Sequence, residues 1–114
     1  MLTASAYDIH VEQLFVRMRR LHEALSGAGI PYRIVGGLAV FIHVFEREPI
    51  KARATSDIDA AIARTDLPRV IEAAERSGFK FRHVAGIDML VDPDKPRATS
   101  AVHLIFVREK VRRE

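Results

Sequence analysis

The 114-residue sequence contains no cysteine. With that absence go disulfides, thiolate nucleophiles and cysteine-ligated zinc, and the chain is indifferent to the redox state around it. No run of about 18 apolar residues occurs, and the opening MLTASAYDIHVEQ has neither a basic start nor an apolar stretch of signal-peptide length. The expectation is a cytoplasmic protein with no membrane partner. Linkers rich in Pro, Gly or Ser, internal repeats and low-complexity tracts are missing too. A second core would have to come from a fragment of about 50 residues, which buries too little surface to be stable alone. A single domain over 1–114 is therefore expected. Neither G-x-G-x-x-G nor G-x-x-x-x-G-K-S/T is present, which excludes the dinucleotide fingerprint and the Walker-type phosphate loop.

What is present is an ordinary globular composition, 48% apolar and 29% charged, with 18 Lys plus Arg against 15 Asp plus Glu and a net charge of +3. Fourteen of the basic residues are Arg. Its planar guanidinium suits phosphates and carboxylates, so an anionic ligand is favoured, although the dense basic stripe of a DNA-binding surface is missing.

From about Asp8 to Leu25, Val11, Leu14, Phe15, Met18, Leu21 and Leu25 recur at helical spacing, which predicts an amphipathic helix stopped by Gly27 and Gly29. Pro31 turns the chain into a short strand, Tyr32 to Val35, and Gly36-Gly37 follows at once. Leu38, Ala39, Phe41, Ile42 and Phe45 read as a second, deeper helix ending before Pro49. Arg47 to Ser56 reads as a loop entering a strand at Asp57-Ile-Asp-Ala-Ala-Ile. Asp66 is expected to cap a helix that holds Pro68 in its first turn and ends at Ser77-Gly78. Phe79 to His83 and Ile87 to Val91 are strands of a hairpin around Gly86. Asp92-Pro-Asp-Lys-Pro is a break, Ala101 to Val107 the last strand, and Arg108 to Glu114 a charged tail that frays or begins a helix. This order predicts an α+β domain, a small mixed sheet with helices packed on one side.

The chemistry gathers at two places. Successive side chains of a strand alternate faces, so Asp57 and Asp59 are expected on one face about 7 Å apart, with Ile58 on the other. Two such carboxylates can clamp a hard cation: Mg²⁺ takes oxygen ligands at about 2.0–2.1 Å and completes its shell with water and substrate phosphate. Solvent-facing strand aspartates are the plain alternative. Gly36-Gly37, at a strand-to-helix junction, permits close approach of the backbone and offers N–H groups to phosphate oxygens, or is simply a tight turn.

The stretch Ile34-Val-Gly-Gly-Leu-Ala-Val through Ala54-Thr-Ser-Asp-Ile-Asp-Ala resembles the signature of the nucleotidyltransferase superfamily that includes DNA polymerase beta, the minimal nucleotidyltransferases and the AbiEii-type toxins. The resemblance extends loosely from about Leu21 to Val107. It implies a nucleotidyltransferase-like fold, with Gly36 and Gly37 facing the triphosphate of an NTP substrate, Thr55 and Ser56 shaping the approach, and Asp57 and Asp59 binding Mg²⁺ or Mn²⁺. Lys51 and Arg53 would face the phosphates, or else are exposed loop cations. The family places a third carboxylate on a later strand, where this sequence has Val102-His103-Leu104. His103 then either binds metal, accepts a proton or is a half-buried sheet histidine, and Asp88 is the candidate for the missing oxygen.

The function the resemblance implies is transfer of a nucleoside monophosphate from an NTP to a protein or RNA acceptor, in a toxin–antitoxin or resistance setting and with a partner protein or homodimer. Two alternatives stand beside this enzyme: a domain of the same fold that retains NTP binding without turnover, and a basic nucleic-acid-binding module using Arg17 to Arg20 and the Lys110 to Arg113 run.

Overall fold

A computed structural model describes residues 6–36, 58–94 and 101–107, with side chains from Glu12 onward. Helix α1 spans Ala6–Gly27, two residues further at each end than the apolar period requires. Its buried stripe is Leu14, Leu21, Ala24 and Leu25, with Phe15 and Met18 at the margin. The chain then enters β1, Arg33–Val35. Next come β2, Ile58–Ile62, a 3-10 turn at Arg64–Asp66, and α2, Leu67–Arg76. Strands β3, Lys80–Val84, and β4, Ile87–Val91, form the hairpin, and β5, Val102–Phe106, is the last described element.

Both described helices end in the same cap. Ile30 N–H donates to the Leu25 carbonyl at 2.9 Å and Phe79 N–H to the Ala74 carbonyl at 3.0 Å, around Gly29 and Gly78 in the left-handed region. These are the long bonds of a Schellman motif, whose usual hydrophobic contact follows here because Ile30 and Phe79 both enter the core. One local expectation fails. Asp66 makes no capping hydrogen bond, because its backbone is helical (φ −89°, ψ −4°) and continues the 3-10 turn into α2. Its carboxylate instead accepts from Arg69 Nη1 at 3.2 Å. Pro68 does lie in the first turn of α2.

The five strands form one mixed sheet in the order β1-β2-β5-β4-β3. Only β2 and β5 run parallel; the other pairs are antiparallel. Ile58, Ala60 and Ile62 of β2, Val102 and Leu104 of β5, and Leu90 of β4 bury one face against Leu14, Leu21 and Leu25 of α1 and Val70, Ala73 and Ala74 of α2. Each large apolar side chain buried this way contributes roughly 1.5–3 kcal/mol of transfer free energy, which explains why the two described helices share that side. The α+β class is therefore present as expected. The opposite face carries Asp59, Ala61, His103 and Ile105 at the alternate positions, with Met89 and Val91 buried beside Ala101.

The second helix expected over Leu38 to Phe45, the loop to Ser56 and the tail from Arg108 lie outside the described residues. No helix among the described residues is long and apolar enough to cross a membrane.

Candidate functional site

Asp59 is the second residue of β2, and the core-facing Ile58 and Ala60 on either side turn its carboxylate to the other face. The ladder fixes its neighbours. Val35 lies opposite Asp59 on β1, and His103 lies opposite it on β5. Asp59 Oδ1 and His103 Nδ1 are 3.4 Å apart, with the two side chains 24% and 26% exposed. Met89 on β4 is paired with His103 from the far side and is buried, so the imidazole stands between a carboxylate and an apolar wall.

Gly36 follows β1 directly and has φ +73°. A Cβ at this position would run into Asp59 Oδ2, closer than real Cβ atoms approach any heavy atom. The glycine therefore serves two needs at once, a left-handed backbone and a main chain set against a carboxylate. Three elements thus bring Gly36, Asp59 and His103 together. Of the other residues singled out in the sequence, Gly37, Lys51, Arg53, Thr55, Ser56 and Asp57 lie outside the described residues.

Asp88 goes elsewhere. It pairs with Leu104 rather than His103, which puts it on the helix-covered side of the sheet, and β4 lies two strand spacings, about 10 Å, from β2. Its buried carboxylate is taken by His83, directly opposite on β3, with His83 Nδ1 and Asp88 Oδ1 2.5 Å apart. Sequence reasoning missed this pair. A two-residue turn at Ala85-Gly86 sets residue 83 against residue 88, so fixing the hairpin register was the signal that would have found it.

An open cleft of about 480 Å³ takes its lining from both sides of the sheet, including Asp59, His103 and Ile105 from one and His83, Asp88 and Phe106 from the other. The Arg64 guanidinium, also in the lining, lies 3.9 Å from the centre of the Phe106 ring. A smaller cleft of about 290 Å³ runs beside α1 at Arg17, Arg20 and Asp92. There Arg20 bridges to Asp92 at 3.5 Å and lies over the Phe79 ring, so this cation of the basic run is engaged within the domain.

The Asp59 and His103 donors suit a shared ion. Two ligands about 2.1 Å from one cation and at right angles to each other sit about 3 Å apart, close to the observed separation. Among the described residues no group of three or more His, Asp or Glu side chains is placed to hold a metal. No family model matches the chain, and no curated protein and no solved structure is significantly similar to it.

Proposed function

We propose that the chain is a metal-dependent nucleotidyltransferase, moving a nucleoside monophosphate from an NTP to an acceptor hydroxyl or phosphate on a protein or RNA. The observation that carries this reading is the meeting of Gly36, Asp59 and His103 at neighbouring strand ends. Side-chain-free backbone and a carboxylate are what a triphosphate and its counter-ion would require at one place. Asp59, with Asp57 before it in sequence, would hold Mg²⁺ or Mn²⁺. The cation would neutralise the triphosphate and lower the pKa of the attacking hydroxyl. Gly36 and Gly37 would offer main-chain N–H groups to the phosphates, and the glycine at 36 leaves the carboxylate room to face them. The acceptor oxygen forms a bond to the α-phosphorus, the bond from the α-phosphorus to its bridging oxygen breaks, pyrophosphate leaves, and the acceptor's proton passes to solvent.

A second reading, an NTP-binding domain without turnover, is favoured by His103 standing where the resembled family has a third carboxylate. Titration with NTP, with and without Mg²⁺ or Mn²⁺, tests the common site: the cation should strengthen binding in the parent chain and not in Asp57→Ala or Asp59→Ala. Equal binding in every arm would sink the assignment. Incubation of the four α-labelled NTPs with cell extract then separates the readings, since transfer of label with release of pyrophosphate requires the enzyme.

A further inference from the structure

We infer that the site holding Asp59 and His103 takes a first-row transition cation, of the Mn²⁺ and Co²⁺ kind, in preference to Mg²⁺. This rests on the proposed metal-dependent transfer and names the cation class that the site is built for. Mg²⁺ is small and hard, prefers oxygen and keeps its water, and gains little from a neutral imidazole. First-row transition cations take nitrogen better than Mg²⁺ does, least so Mn²⁺ and increasingly along the series beyond it. A carboxylate beside Asp59 would leave the site all-oxygen; the imidazole makes it mixed.

The geometry makes His103 a ligand of that same ion rather than a bystander. Asp59 and His103 are register partners within a parallel ladder that continues from Ile58↔Val102 to Ile62↔Phe106, so the two residues stay side by side on one face unless the whole strand slips. Their facing atoms, 3.4 Å apart, match two neighbouring positions around one ion. Gly36 closes the far side of the carboxylate, so Oδ1 is turned to the histidine while Oδ2 lies against the main chain. Both side chains stay about one quarter exposed, which leaves open positions on the ion for water and triphosphate oxygens. His83 and Asp88 do not compete for the ion, since they register with Leu104 on the other face of the sheet and are bonded to each other.

The test uses metal alone with the full chain. Loss of the free Mn²⁺ resonance gives Mn²⁺ affinity, competition gives that of Mg²⁺, and visible absorption follows Co²⁺. We expect His103→Asp to lower the Mn²⁺-over-Mg²⁺ preference by at least about tenfold and to shift the Co²⁺ bands, and Asp59→Asn to weaken all three cations. Pulsed resonance on Mn²⁺ bound to the parent chain should show coupling to a histidine nitrogen, a readout that needs no variant to fold. An unchanged preference in His103→Asp, or no nitrogen coupling in the parent, overturns the inference. The transferase reading then still stands if Mg²⁺ strengthens NTP binding through Asp59. No divalent binding by the parent chain, with or without NTP, overturns both.

Discussion

His83 and Asp88 share one hydrogen bond across the hairpin, yet the histidine side chain is 60% exposed and the aspartate side chain only 10%. Removing either partner breaks the same bond, and the energetic consequence falls on whichever group is left buried. His83→Ala strands a buried carboxylate and should cost about 1–3 kcal/mol. Asp88→Ala leaves an imidazole that water can serve, so the lost bond alone, about 0.5–1.5 kcal/mol, is the expected cost. Urea unfolding of both variants measures the order. A greater loss for Asp88→Ala would show that the carboxylate supports the fold by some route other than this bond.

Gly36→Ala should be harmful for two separable reasons. A left-handed backbone costs an L-residue roughly 1–2 kcal/mol, and the new methyl group displaces the Asp59 carboxylate. Removing that carboxylate relieves the second cost and leaves the first. The double variant Gly36→Ala/Asp59→Ala should therefore be more stable than the sum of the single effects by about 0.5–2 kcal/mol. Additive unfolding energies across this cycle would place the carboxylate away from the glycine. The Gly36→Ala variant should also bind the cation more weakly than the parent chain.

The hairpin turn holds an unused reserve of stability. Ala85 has φ +52° and Gly86 φ +79°, the two left-handed positions of a type I′ turn, where Asn-Gly is the favoured pair. Asn tolerates the left-handed region better than Ala because its side chain bonds locally. Ala85→Asn should add about 0.5–1 kcal/mol and raise Tm by about 2–6 °C. Ala85→Val should do the reverse, since a β-branched side chain fits that region worst. A melt in which Asn lowers Tm would contradict the turn geometry.

The parts of the fold that rest on local period were legible in the sequence. Leu14, Leu21 and Leu25 mark the buried stripe of α1, and the Ile58, Ala60, Ile62 alternation marks the inner face of β2. What was illegible depends on pairing between distant segments. The period of Val102-His103-Leu104 does not say that β5 lies beside β2 in parallel; only the resemblance set His103 near Asp59, where the ladder puts it. Asp88 differs, because its pairing is local: its residue type fits a metal ligand, and the register of the two-residue turn commits it to His83. Asp66 shows the limit of a local rule as well, since the 3-10 turn before α2 removes the extended backbone from which a capping side chain works.

Tyr32 gives the structure a pH signature. Burial pushes its hydroxyl above the usual tyrosine range, and the oxygen lies 2.6 Å from His22 Nδ1. The unfolded chain loses this proton near pH 10, before the folded chain does. Stability from this group is therefore complete below about pH 10 and is lost as pH rises through the folded value. Tyr32→Phe should cost about 0.5–1.5 kcal/mol near pH 7, where the hydrogen bond to His22 is lost. Above about pH 10 the parent alone carries the added proton-release term, so the gap between the two chains should narrow as pH rises. Urea denaturation of both from about pH 7 to about pH 11 measures that gap directly. Parallel stability curves over the whole range would mean that the hydroxyl titrates alike in the folded and unfolded chains.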